Sequence, residues 1–278
     1  MAEILIGTSG YDYPEWKGSF YPDECRHKDF LSFYAGQFNA LELNNTFYNM
    51  PTSERLLSFY ERSGGRVKFS IKANRLLTHE RSKMWKEDGL HFREAVEALK
   101  KKDCLAAVLF QFPECFYYIE ENRLYLADLI SFFADFPVVV EFRHRQWLKD
   151  SVFEGLYKRN VGLVFCDMPQ LKNLPDGFGN ATPFIGDKAY IRLHGRNSTS
   201  WYANGKNTAP GDNGSARYCY DYEDSELELF VPVIKKALDE GRSVQVYFNN
   251  HPKAYGPKNA KRLDIILEER GVTKNQKK

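Results

Sequence analysis

The sequence predicts an α/β fold, a single (β/α)₈ barrel of the TIM type, and three observations carry that prediction. Eight short runs of apolar and β-branched residues recur along the chain, separated by segments with apolar residues at helical spacing. The runs are apolar almost throughout instead of alternating, which marks parallel strands covered on both faces. At 278 residues the chain suits one barrel better than two small domains.

In chain order, the first run is Ile4 to Thr8, and a long connection from Ser9 to His27 follows it. FLSFYAGQF has helical spacing and leads to the second run, Ala40 to Leu43. SERLLSFYERS puts Leu56, Phe59 and Tyr60 on one helix face ahead of the third run, Val67 to Ala73. A second long connection, Asn74 to Glu87, precedes GLHFREAVEALKK and the fourth run, Leu105 to Phe110. NRLYLADLISFFADF leads to Val138 to Phe142, and the sixth and seventh runs are Gly162 to Cys166 and Ala189 to Leu193.

The third long connection, Gly195 to Asp224, is rich in Gly, Asn and Ser yet carries Trp201, Tyr202, Arg217 and Tyr218, and it reads as a mobile lid. SELELFVPVIKKALDE, the run Val244 to Phe248 and PKNAKRLDIILEER complete the pattern. Residues 1–272 are thus expected to form one barrel domain, and TKNQKK at 273–278 a disordered basic tail. An open doubly wound sheet is the rival architecture, but GTSGYDYPEW is a poor match to the glycine-rich turn such a sheet carries after its first strand.

Composition narrows the function classes. With 39 Lys+Arg against 37 Asp+Glu, the net charge of +2 supplies no overall basic field for nucleic acid or an anionic membrane. The five cysteines are odd in number and contain no CxxC pair, so free thiols in a reducing compartment are expected instead of a disulfide framework or zinc cluster. MAEILIGTSG lacks the charged-then-apolar order of a secretion signal, and no apolar stretch approaches a membrane span. A cytoplasmic protein without membrane partners is expected.

The strongest functional signal is positional. Nearly every run ends in ionisable or amide residues: Ser9, Glu42 with Asn44, Lys72, Gln111, Glu141 with Arg143, Asp167, Arg192 with His194, and Asn249. Pairs two residues apart share one face of a strand, and if that face is the barrel interior the set converges on the C-terminal mouth, where barrels carry their chemistry. A structural alternative pairs Glu42 with Lys72, Glu141 with Arg143 and Asp167 with Arg192 in a neutral ring. Core packing gives no reason for polar residues to gather at one strand end only, so a site is the better reading.

GTSGYDYPEWKGSFYP, LELNNTFY, FSIKANRLLTH, LFQFP, VEFRHRQW, CDMP, YIRLHG and FNNHPKAYGPKNA, in this order, resemble the YecE-like family of uncharacterised proteins, the domain of unknown function seventy-two. The resemblance covers nearly the whole chain and implies a TIM-like barrel, but it supplies no established reaction. HPKAYGPKNA is longer and more basic than the small-residue stretch usual after FNN in that family, which leaves the roles of His251 and Lys253 open.

Several chemistries fit the candidate residues. Glu42 and Glu141 could divide general-acid and general-base work across the mouth, with Asp167 orienting a neighbour. Lys72 could be paired, or could act as a Schiff-base amine if desolvated. Arg143, Arg192 and His194 suit an anionic ligand. Tyr11, Trp16, Tyr48, Trp201 and Tyr218, with His79, add rings that could line a substrate site, and Tyr13, Tyr21 and Trp147 fall in similar loops. His27, His91 and His144 read as surface or capping residues, and Cys166 as a core thiol bordering the site. Without HxH or HExxH spacing, neither a metal nor another cofactor is assigned. The expectation is a metal-independent hydrolase or lyase acting on a small anionic or sugar-phosphate-like compound. The alternatives are a nucleic-acid-binding or repair protein of AP-endonuclease-like type and a non-catalytic ligand sensor.

Overall fold

A computed structural model describes residues 3–175, 183–202 and 215–272; the middle of the expected lid and the expected tail lie outside them. Eight parallel strands close into a barrel in chain order: β1 (Ile4–Ser9), β2 (Ala40–Leu43), β3 (Lys68–Lys72), β4 (Leu105–Gln111), β5 (Val138–Glu141), β6 (Gly162–Asp167), β7 (Lys188–Leu193) and β8 (Ser243–Phe248). β1 pairs with both β2 and β8, which seals the cylinder. Each strand end lies within one residue of its apolar run, because the run stops where the chain leaves the covered sheet.

The helices are α1 (Phe30–Tyr34), α2 (Ser53–Arg62), α3 (Trp85–Lys101), α4 (Glu120–Phe132), α5 (Asp150–Tyr157), α6 (Asp224–Glu228), α7 (Phe230–Asp239) and α8 (Tyr255–Glu269). α2 starts where the Thr52 side chain accepts from the Arg55 backbone N–H, and α6 where Glu223 and Glu226 form a reciprocal capping box. The SELELFVPVIKKALDE segment divides into α6 and α7, so two helices separate β7 from β8; none lies between β6 and β7 among the described residues. Among those residues no helix is long and apolar enough to cross a membrane.

The apolar core lies between sheet and helices. Trp147 is wholly buried there, stacked between Phe116 at 5.0 Å and Phe142 at 4.5 Å, with its indole N–H donated to the Phe116 carbonyl. β1 and β2 approach so closely that a Cβ on Gly7 would stand 1.9 Å from the Ala40 carbonyl oxygen. The Tyr34 hydroxyl fills the adjoining gap, accepting from the Thr8 N–H at 2.8 Å and donating to Ala40 O at 2.9 Å.

Inside the cylinder the two-residue period places Ser9, Glu42, Ser70, Lys72, Gln111, Glu141, Cys166, Tyr190, Arg192, Gln245 and Tyr247 toward the axis. The same period turns Asp167 outward, since its neighbour Cys166 faces inward beside Arg192.

Candidate functional site

The floor of the mouth is a closed polar network centred on Arg192. One nitrogen of its guanidinium donates to Glu141 Oε2 at 2.5 Å and another to Glu42 Oε1 at 2.6 Å. Glu42 also accepts from Ser9 at 2.6 Å and from Tyr190 at 2.7 Å, while Ser70 lies 2.6 Å from the Tyr190 hydroxyl. Glu141 is completed by Arg143 Nε. Both glutamates are fully buried. Burial alone would raise the carboxyl of Glu141, but Arg143 and Arg192 outweigh it and hold it well below its ordinary range. Two carboxylates and two guanidiniums balance, and the Glu42–Lys72 pair of the structural alternative gives way to Glu42–Arg192.

Lys72 is left without that partner. It forms no ion pair among the described residues, and its ammonium sits 4.4 Å from the centre of the Phe47 ring. Burial lowers its amine to about 7; Arg192 and Arg143 push the same way, against Glu141 and Glu42. His79 falls to about 4 through burial and the nearby cations Lys72 and Arg143, and His194 to about 3 through burial and Arg143. At neutral pH both imidazoles are therefore uncharged. His194 Nε2 lies 3.1 Å from Arg143 Nη2 and 3.6 Å from Glu141 Oε1, and its Nδ1 lies 3.0 Å from the amide nitrogen of Asn249.

Above this floor lies a cavity of about 320 Å³ lined by Lys72, His79, Gln111, Arg143, Trp201 and Tyr218, together with Phe47, Glu114, Tyr202 and Arg217. Arg143 lies 5.8 Å from the Trp201 ring, and Tyr202 donates to Glu114 at 3.3 Å, joining the loops after β7 and β4. The loop positions of Phe47 and Glu114 carry no strand-end polar signal, and nothing in their spacing marks them. Tyr190 was missed for another reason: it stands two residues before Arg192 in YIRLHG, and the period of two alone would have found it.

Other expected residues lie elsewhere. Asp167 accepts a bidentate contact from Arg196 (2.9–3.1 Å) and a 2.6 Å bond from Tyr222, so it ties β6 to the loop after β7 outside the barrel; its expected place at the mouth is corrected, and Arg192, its partner in the structural alternative, pairs with the two glutamates instead. Trp16 is fully buried, with its indole N–H held by the His251 carbonyl at 2.8 Å, and has no face free for a ligand. Tyr21 and Trp147 are likewise packing residues. Tyr11, Asn44 and Tyr48 line a different cavity beside the mouth. Ser9 and Asn249 support Glu42 and His194 from below.

Glu141, Cys166 and His194 bring three potential metal-ligand atoms within 4.8 Å of one another, the one such group among the described residues. Its donors are already engaged: Arg143 and Arg192 hold both Glu141 oxygens, and Arg143 faces His194 Nε2. Burial raises the Cys166 thiol well above its usual value, against forming a thiolate ligand. A cation entering here meets two guanidiniums, so the donor set does not fit a metal.

A closed parallel barrel with a polar plug and an aromatic-walled mouth defines a TIM-type barrel protein, and residues 5–278 match the family model "Protein of unknown function DUF72", so the chain belongs to that family. Among its relatives is the UPF0759 protein YunF of Bacillus subtilis (strain 168), 27% identical over 280 residues and covering 95% of each chain. A DUF72 family protein of Thermotoga maritima, solved at 2.20 Å, superimposes with a TM-score of 0.82 at 28% identity, over 96% of this chain and 99% of that one. A DUF72 family protein of Enterococcus faecalis shares the fold with a TM-score of 0.78 at 22% identity, over 95% of each chain.

Proposed function

We propose that the protein is an enzyme of the lyase or hydrolase type acting on a small anionic carbonyl compound, with Lys72 as its reactive group. The observation that carries this reading is the situation of Lys72: its amine lines the mouth cavity against Phe47 without a carboxylate partner among the described residues, while both neighbouring glutamates are taken by arginines. Desolvation and nearby cations are the two means by which an amine is kept neutral and nucleophilic at physiological pH. Glu42 and Glu141, locked to Arg192, serve as fixed countercharges here instead of the acid and base expected from sequence.

The chemistry follows from a neutral amine. Lys72 Nζ attacks the carbonyl carbon as the C=O π pair moves to oxygen, and loss of that oxygen as water leaves an imine. The protonated imine then draws in the electron pair of an adjacent breaking C–C or C–H bond to give an enamine; a proton delivered to the enamine carbon regenerates the imine, and water addition releases product and restores the amine. Neutral His79 is available to take a proton, and Arg143 with Gln111 can hold the anionic end of the substrate. The nucleic-acid alternative is disfavoured by the burial of Trp16, Tyr21 and Trp147, rings it needs for stacking.

The test is borohydride trapping during incubation with a panel of small 2-oxo acids and sugar phosphates, read by intact mass and peptide mapping. An adduct on Lys72, growing as pH rises through 7 and missing from Lys72→Gln, is expected. Adducts spread over surface lysines, or none with any compound, would remove the imine reading.

A further inference from the structure

A second cavity, of about 660 Å³, opens beside the mouth between the loops that follow β1 and β2 and one face of α2. We infer that it is a binding site for a phosphate monoester, held by Lys28, Arg55 and Arg62. Arg55 and Arg62 are two helical turns apart on α2, so both project from the same face, with Ser58 and Phe59 between them on the cavity wall. Lys28 reaches the same space from the turn His27–Asp29.

None of these three cations forms an ion pair among the described residues, whereas the one carboxylate on the wall, Asp12, is held by His27 at 2.5 Å. Three fixed positive charges against one negative charge around a concave space concentrate anions there. The guanidinium fork matches the oxygens of a phosphate better than any other common anion except a carboxylate, and a dianion satisfies two arginines at once. The floor is apolar, built from buried Tyr11 and Phe59, and Tyr48 at the rim is 70% exposed, offering a free ring face to the organic part of an ester. The volume is that of a small-ligand site. A nucleic-acid strand calls for cations spaced along a track, and here they converge on one pocket.

The wall between this cavity and the barrel mouth is the segment after β2, with Asn44, Asn45 and Tyr48 on one side and Phe47 on the other. The anion site stands whether or not Lys72 is reactive, and the experiment keeps the two apart. Calorimetric titration of the full chain with phenyl phosphate and with inorganic phosphate is compared between wild type, Arg55→Ala/Arg62→Ala and Lys72→Gln. Both arginines are exposed, so the double variant is expected to fold, with circular dichroism as the check.

Wild type should bind phenyl phosphate, the arginine pair should weaken it about 100-fold at about tenfold per charged contact, and Lys72→Gln should leave it within about twofold. Equal affinity for inorganic phosphate identifies free phosphate as the ligand, and preference for the ester identifies a substrate or effector handle; either supports the site. Absence of binding at millimolar concentration, an arginine pair that binds like wild type, or loss on Lys72→Gln instead would overturn it. So would displacement of phenyl phosphate by a short single-stranded oligonucleotide at far lower concentration.

Discussion

Replacing Arg192 by Met in a Lys72→Met background, where no buried amine can supply the lost charge, removes the guanidinium that Glu42 and Glu141 share while keeping most of its length and volume. Glu141 keeps Arg143, and Glu42 keeps Ser9 and Tyr190, so two buried carboxylates then face a single guanidinium. The network can recover its balance by taking up one proton. From a reference glutamate value of about 4.3, that uptake costs about 3.7 kcal/mol at pH 7, at about 1.36 kcal/mol per unit. Because this escape is always open, it caps the charge penalty near 4 kcal/mol, within the range for a broken buried pair. At pH 5 the same uptake costs about 1 kcal/mol. The folded double variant binds one proton more than Lys72→Met across this interval, so the stability gap between them narrows by about 2.7 kcal/mol on acidification. Urea unfolding of both proteins at pH 7 and pH 5 measures the gap directly. A gap under about 1 kcal/mol at pH 7, or one that is the same at both pH values, refutes the shared-guanidinium argument. Adding Glu42→Gln to the double variant should shrink the gap at pH 7 and remove its pH dependence.

Other expectations follow from buried groups and close approaches. Folded His194 takes a proton only near 3 and its unfolded counterpart near 6.5, so wild-type stability should fall as pH drops below 6.5. Its share is about 2 kcal/mol by pH 5, and His194→Gln should flatten that slope in denaturant titrations; an unchanged slope assigns the effect elsewhere. Gly7→Ala forces a Cβ toward the Ala40 carbonyl at 1.9 Å. It should cost about 3 kcal/mol and lower Tm by roughly 6–12 °C, and a melting point within a degree of wild type contradicts the close approach. In the native state a disulfide reagent should modify exposed Cys115 first and spare Cys104 and Cys166, whose thiols burial pushes up; peptide mapping after brief labelling decides this.

The barrel was legible because strand length, apolar continuity and helical spacing each have a direct geometric cause, and chain order did the rest. α5 escaped because two turns such as DSVFEGLY are too short for a period to register. The candidate site was legible down to which strand ends carry polar groups. It was not legible in their partners, since a closed barrel places β7 across from β2 and lets Arg192 reach Glu42 over a sequence separation that strand adjacency does not suggest. Asp167 shows the other limit: the residue that closes a run faces in or out according to its neighbour, and only the inward Cys166 beside it fixes the direction. The rims of loops are harder still. Trp16 and Tyr48 look alike in sequence, yet one is sealed under the His251 carbonyl and the other stands 70% exposed.

The seam between β1 and β8, where the Val244 N–H donates to the Glu3 carbonyl at 2.8 Å, sets a schedule for biosynthesis. The first strand to leave the ribosome must wait for the last before its outer backbone groups find their partner. At about 5–20 residues per second, residue 248 follows residue 9 by roughly 12 to 48 seconds. Throughout that interval the nascent sheet is an open ribbon with two exposed margins, the form most exposed to mispairing with neighbouring chains on a polysome. Demand for chaperones should therefore peak just before the final strand emerges and end abruptly once it does.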